Sequence, residues 1–282
     1  MNNTLDIKRF GKILKHDGLN LIPNMGLTLA ILWAIPVIAY LFVCMMPGND
    51  ENVFDAYSRV DTIDFILKIA LILTPARLYK YCNDSRQGIG FAMLPASTLE
   101  KFLSMVFYCV IVTPILYIAG ALAVDSILAL FNGPYDGFAI SLYFDKYAQM
   151  VHILNKGNAQ MMLDDSWPMF LASLSPTIMI LLNLFGTLLI SSIFMFGNMI
   201  FKKHKTAKMI GILIVLFILL MIIVINYVAH NETIFSRWDV DTASDILKRL
   251  IIIMMNVSLY TEIIISALLL WGVYRKINTQ KY

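Results

Sequence analysis

Glu262 is the residue of this chain whose position most directly suggests chemistry. It lies about twelve residues into the last apolar stretch, near mid-membrane if that stretch crosses a bilayer. A carboxylate at that depth is costly, so it should face protein or water and can be protonated. It could line a transport path or carry a proton. It could equally be a neutral acid that hydrogen-bonds a neighbour such as Asn183 or Asn256, and both interpretations stay open.

Catalytic and metal-binding motifs are otherwise missing from the sequence. It contains no GxxxxGK[ST] phosphate loop, no HExxH and no GxSxG. The three cysteines show no paired spacing, so neither a disulfide framework nor a zinc site is indicated. Nothing here positively supports an enzyme, and we expect this chain to bind no metal and no cofactor of its own.

Composition places the chain among integral membrane proteins. Hydrophobic residues make up 59% of it and charged residues 15%, against roughly 25% charged in soluble domains. The net charge of +3 argues against nucleic acid, whose phosphates require clustered basic residues. The N-terminal region lacks an apolar core followed by a cleavage site, so we expect the first span to act as the insertion signal.

Six stretches approach the roughly 20 apolar residues that a membrane-crossing helix needs. The second is the weakest, because it is short and contains Lys68. With both termini cytoplasmic, fifteen of the 22 lysines and arginines fall in inner segments and six in outer ones, as the positive-inside rule requires. The sequence therefore predicts an all-α integral membrane protein with six transmembrane helices and cytoplasmic N and C termini. The predicted spans are about 25–46, 62–80, 103–131, 169–200, 208–230 and 250–274.

The segments outside these spans are also patterned. Residues 1–23 read as a cytoplasmic interfacial amphipathic helix that Pro23 ends, preceding a six-helix domain at 24–282. The alternative is a basic flank that only orients the first span.

The outer loop 132–168 could contain a short helix on the membrane surface or be a plain connector. Lys68 could extend towards the outer surface or pair with Asp125. The prediction of an interfacial helix at residues 1–23 rests on basic Lys8 and Lys12, which lie opposite apolar Phe10 and Leu14 when the segment is helical.

The inner loop 81–102 carries the most specific stretch, "SRQGIGFAMLPASTLEKFLS" at residues 85–104. Pro95 disfavours helix at the residue before it and predicts a break. Ser97 and Glu100 have the S-x-x-E spacing of a capping box, which predicts a helix start. The loop is thus expected to form a helix, a rigid break and a capped helix that enters the third span. Such an arrangement offers a firm surface to a soluble partner.

This stretch resembles the cytoplasmic loop of ABC-2 type transporter permeases, in which a Gly, an apolar run and Leu-Pro-x-Ser lead into the third helix. The matching residues are Gly88, Leu94, Pro95 and Ser97. The chain departs from the family where Arg86–Gln87 and Thr98 replace a common Glu and Arg. The resemblance implies a coupling helix at about 84–94 that docks on a separate ATPase. The docking residues it implies are Arg86, Gly88, Phe91, Leu94 and Pro95.

The resemblance also implies the role of the chain, its partner subunits and its membrane. The chain would be the permease subunit of an ABC exporter in a bacterial inner membrane, paired with a second permease as a homodimer or heterodimer. ATP and magnesium would be bound by the partner subunit. The alternatives are a membrane anchoring or signalling protein that binds another partner through loop 81–102, and an intramembrane enzyme built around Glu262.

Overall fold

The computed structural model describes residues 5–45, 56–83, 88–131, 138–143, 176–230 and 240–279. Regular structure in these ranges is helical, without strands. A 3₁₀ turn spans Lys80–Asn83, a π-helical segment spans Phe107–Val112, and residues 139–143 form a short helical segment. The α-helices are α1 (Ile7–Met45), α2 (Ala56–Leu78), α3 (Gly88–Met93), α4 (Thr98–Val106), α5 (Thr113–Ala129), α6 (Pro176–Ile200), α7 (Lys205–His230) and α8 (Val240–Thr279).

Five of the described helices are long and apolar enough to cross a membrane. They are α1, the continuous helix that α4 and α5 form through the π-helical segment, α6, α7 and α8. The second predicted span coincides with α2, which is not among these five. Residues 169–175 of the fourth predicted span lie outside the described residues, as does most of loop 132–168.

Helix α1 runs unbroken through Pro23, so the prediction that a helix ends there is wrong. Proline removes the N–H that would bond the carbonyl four residues earlier, which usually kinks or ends a helix. Here Leu21 and Met25, on either side of Pro23, are both buried in the core. Tertiary packing therefore holds the helix on both sides of the lost hydrogen bond. Residues 7–23 are the first turns of a long helix.

Helix α2 lies at the centre of the bundle, where it packs against α1, α5 and α6. Ile63, Ala70 and Leu71 are almost fully buried, so the apolar side chains of α2 contact the neighbouring helices. Helix α8 packs along α6, and α7 packs on α6 with most of its apolar side chains exposed.

Two asparagine side chains connect the ends of α2 and α6. The Asn198 amide donates to the carbonyls of Pro75 and Tyr79, at 2.9 and 3.0 Å. The Asn83 amide donates to the carbonyl of Met199 at 2.9 Å. The Pro75 and Tyr79 carbonyls already accept the backbone N–H groups of Tyr79 and Cys82, so the Asn198 amide adds a second hydrogen bond to each and joins the two helix ends.

At the opposite end of α2, a buried ion pair joins α2 to α5. Arg59 Nη1 lies 3.1 Å from Asp125 Oδ1, and both side chains are almost completely buried. The backbone N–H of Ala139 also donates to Asp125, at 3.2 Å. Lys68 is exposed, so the alternative in which it pairs with Asp125 is wrong. Arg59 lies on the part of α2 that packs beside Asp125, whereas Lys68 lies on its exposed surface.

Gly120 permits the close approach of α1 and α5. A Cβ atom there would overlap the ring of Trp33, whose Nε1 donates to the Tyr117 carbonyl at 3.1 Å. We expect Gly120→Leu to separate the two helices and cost about 3 kcal/mol or more. Thermal unfolding of purified protein in detergent measures this loss. The control is Gly211→Leu, because Gly211 has open space around it; equal losses in the two variants would contradict the close-approach argument.

Candidate functional site

The structure contains both hydrogen bonds of the capping box that the S-x-x-E spacing predicts. Glu100 N–H donates to Ser97 Oγ at 3.2 Å, and Ser97 N–H donates to Glu100 Oε2 at 2.8 Å. Ser97 is extended, with φ −69° and ψ 158°, as an N-cap residue should be. Before it lie the short helix α3 and an irregular break at 94–96. We call α3, this break and the capped start of α4 (residues 88–104) the elbow.

Glu100 also joins the elbow to the beginning of α1. The backbone N–H of Asp6 donates to Glu100 Oε1 at 2.9 Å, and Arg9 Nη2 lies 3.3 Å from the same oxygen. The Glu100 side chain is fully buried. One carboxylate therefore satisfies backbone donors at the starts of two helices, so a displacement of α4 would also affect α1.

Phe91 anchors α3 to the rest of the bundle. Its side chain is 4% exposed, and its ring packs edge-on against Tyr81 with centroids 6.0 Å apart. Lys101 Nζ lies 5.2 Å from the Phe91 ring centroid and donates to the Phe91 carbonyl at 2.7 Å. The short helix is thus held by an aromatic contact and by a cation from α4.

The predicted docking residues do not share one surface. Gly88 and Phe91 are buried, Leu94 is half-buried, Pro95 is exposed, and Arg86 lies outside the described residues. The exposed apolar side chains of α3 are Ile89 and Met93, at 43% and 78%. The sequence reasoning missed them, although their i, i+4 spacing places them on one helix face.

The face pattern predicted for the start of α1 is largely present. Lys8 and Lys12 are exposed, while Phe10 and Leu14 are half-buried. The apolar side contacts the bundle: Tyr108 donates its hydroxyl to the Leu14 carbonyl at 2.7 Å. Its contacts with a membrane surface stay a prediction.

A buried acid, Asp17, connects three helical elements near the elbow, and the sequence reasoning did not single it out. It is 1% exposed on α1. Ser104 of α4 and Tyr79, which follows α2, donate their hydroxyls to Asp17 Oδ2 at 2.6 and 3.0 Å. His16 Nδ1 lies 3.1 Å from Asp17 Oδ1. The sequence does carry a signal for it: Asp17 lies four residues from both Ile13 and Leu21, so an acid occupies a position on the apolar face of α1.

A cleft of about 440 Å³ opens beside this cluster. Its lining includes His16, Asn20 and Asn24 of α1, together with Lys80 and Tyr81 from the 3₁₀ turn. Phe91 and Leu94 of the elbow complete it.

Behind the cleft, the 3₁₀ turn contains a buried thiol. Burial raises the pKa of Cys82 well above its usual value, and the charge of Asp17 raises it further. Burial likewise raises the pKa of the neighbouring Tyr81 phenol. Both groups therefore favour their neutral forms at physiological pH.

Glu262 lies apart from this region, on α8 where it faces α6. Ser258, one turn earlier, has its hydroxyl 3.5 Å from Glu262 Oε1. Glu262 Oε2 is buried and has no hydrogen-bond partner among the described residues. A Cβ atom on Gly186 of α6 would lie 4.0 Å from this oxygen. Asn183 is exposed on α6 and Asn256 is half-buried on α8; a role for either beside Glu262 stays a prediction.

Comparison with protein families, curated proteins and solved structures finds no match for this chain. The geometry therefore carries the functional argument. What the elbow offers is a short, firmly anchored helix with an exposed apolar pair, linked through Glu100 and α4 to two long apolar helices.

Proposed function

We propose that this chain is the membrane-spanning permease subunit of an ABC exporter, and that the elbow docks on a separate ATPase subunit. The single observation that carries the proposal is α3: Phe91 fixes it to the bundle while Ile89 and Met93 remain exposed. Exposed apolar side chains on a rigid short helix suit insertion into a groove of a partner protein.

The path for coupling follows from the contacts of the elbow. The helix that begins at Thr98 continues without interruption to Ala129, and Glu100 binds the start of α1. A displacement of α3 by a bound partner would therefore also displace α5 and α1. The π-helical segment lies along this route, where Thr113 donates its hydroxyl to the Tyr108 carbonyl at 2.9 Å. Such segments are frequent at functional sites.

The remaining parts of the proposal follow the charge pattern and the family resemblance. Helix α2 serves as a sixth span inside the bundle, and both termini and the elbow face the cytoplasm, as the distribution of basic residues favours. The membrane is the bacterial cytoplasmic membrane. The chain works with a second permease copy or homologue, and the ATPase subunit binds ATP and magnesium and performs hydrolysis.

Paired charge substitutions on α3 test the docking role. We expect Ile89→Asp with Met93→Asp to abolish copurification of ATP-hydrolysing activity with the tagged chain, because carboxylates cannot enter an apolar groove unpaired. Both side chains are exposed, so the amount of folded chain in the membrane should not change. Asn278→Asp, at the exposed end of α8, is the control. Undiminished copurification with the double variant would overturn the assignment.

A further inference from the structure

The cleft beside the elbow collects hydrogen-bond donors and positive charge. Lys80 contributes an ammonium group, His16 an imidazole, and Asn20 and Asn24 two side-chain amides. The ammonium group and the two amides can donate to an anion. Of the residues that the structure describes, no Asp or Glu lines the cleft.

Two further cations stand close to the walls of the cleft. Lys205 Nζ donates to the Lys80 carbonyl at 2.7 Å, and Lys101 Nζ donates to the Phe91 carbonyl at 2.7 Å. The acid beside the cleft, Asp17, is buried, and its oxygens already accept from Tyr79 and Ser104 and contact His16. Two ammonium groups besides that of Lys80 therefore stand near the cleft.

Hydrogen bonds orient the side chains of α1 that line the cleft. With His16 Nδ1 donating to Asp17 Oδ1 at 3.1 Å, the other ring nitrogen, Nε2, lies 3.3 Å from the Asn20 amide. The Asn24 amide uses one donor on the Asn20 carbonyl, at 2.9 Å, which leaves its second N–H for a ligand. These groups are thus partly fixed before anything binds.

Part of the lining is apolar and aromatic. Phe91, Leu94 and the ring of Tyr81 form this part. A ligand that fits the whole lining combines a compact anion with a less polar portion. A phosphate ester has this chemistry, since its oxygens accept several charge-assisted hydrogen bonds and its organic part can lie against the rings.

We propose that this cleft binds a phosphate ester, with Lys80 supplying charge, Asn20 and Asn24 supplying amide donors, and His16 orienting the Asn20 amide. The ester is either the headgroup of an anionic phospholipid or a soluble phosphate ester. Because His16 also contacts Asp17, the occupant shares a residue with the cluster that joins α1, α2 and α4. The site does not depend on an ATPase partner.

Lipid retention by the full chain tests the site. The chain is reconstituted in phosphatidylcholine nanodiscs with increasing phosphatidylglycerol, and the lipids that stay bound after release are counted by native mass spectrometry. His16→Gln with Lys80→Gln should weaken retention of phosphatidylglycerol by about ten-fold or more, because Lys80→Gln removes the charge-assisted contact and His16→Gln releases the Asn20 amide. Both side chains are exposed, and the Lys205 bond goes to the Lys80 backbone. Because His16 also contacts Asp17, thermal unfolding of the double variant is measured alongside retention, and Lys80→Gln alone should weaken retention without lowering the unfolding midpoint.

The control is Lys203→Gln, which removes one exposed cation from the turn between α6 and α7, outside the cleft. Glycerol 3-phosphate is then added as a soluble competitor. Selective retention that it cannot displace supports a lipid headgroup, and displacement supports a soluble phosphate ester. Unchanged retention in the double variant, or an equal loss with Lys203→Gln, would overturn the proposal. Asn20→Leu, which adds no charge, should also weaken retention; full retention by this variant contradicts the amide contact.

Discussion

Asp125→Ala is expected to destabilise the protein by about 3–5 kcal/mol, the largest effect of a single substitution that we anticipate. The reason is the environment of Arg59, which is 3% exposed and loses the carboxylate that balances its charge. The backbone N–H of Ala139 loses its acceptor as well. Thermal unfolding in detergent should show a large fall in the midpoint.

A double replacement serves as the internal control for this ion pair. Replacing a buried pair by apolar residues of similar size is often neutral or stabilising, because neither charge then has to be desolvated. Arg59→Met with Asp125→Leu should therefore recover most of the stability that Asp125→Ala loses. If the double variant unfolds as early as the single one, the destabilisation arises from lost packing and the ion-pair argument is wrong.

The second large effect is expected for Asp17→Ala, at about 2–4 kcal/mol. Hydrogen bonds to a charged group are worth about 1.5–3 kcal/mol, and the substitution leaves buried hydroxyl groups without an acceptor. Ser104 can turn its hydroxyl to a carbonyl of its own helix, whereas Tyr79 is fixed by its ring. Tyr79 should therefore account for most of the loss.

A double-mutant cycle measures how much of the stability lost in Asp17→Ala comes from the Tyr79 hydroxyl. Tyr79→Phe removes the stranded hydroxyl, so Asp17→Ala should cost less in that background, with a coupling energy between about 0.5 and 3 kcal/mol. Asp17→Asn keeps one acceptor oxygen and should be milder than Asp17→Ala. Strictly additive losses for Asp17→Ala and Tyr79→Phe would show that the 3.0 Å contact contributes little.

Local sequence signals predicted part of the elbow. The capping box needs only residues three apart, so Ser97 and Glu100 are readable from the chain alone. The apolar stretches likewise lie within helices, because hydropathy over about 20 residues depends on no distant partner. Proline at position 23 was misread for the opposite reason: its local preference was overridden by the burial of Leu21 and Met25.

Contacts between distant residues could not be derived in the same way. Asp17 meets Tyr79 and Ser104, which are 62 and 87 positions away, and these meetings depend on how three helices rotate about their axes. The same rotation decides that Arg59, and not Lys68, reaches Asp125. On α3, a six-residue helix, sequence alone does not tell which face packs inward, so buried Phe91 was taken for a docking residue.

The proposal that the elbow docks on an ATPase is tested most directly by photo-crosslinking from position 93, whose side chain is 78% exposed. A photoreactive residue replaces Met93 in the membrane of the living cell, a second variant carries it at Asn278, and adducts are identified by mass spectrometry. We predict that position 93 crosslinks to a subunit that contains a phosphate-binding loop and an ABC signature, and that position 278 does not. Adducts from position 93 with lipid alone, or with a protein lacking these motifs, would contradict the assignment.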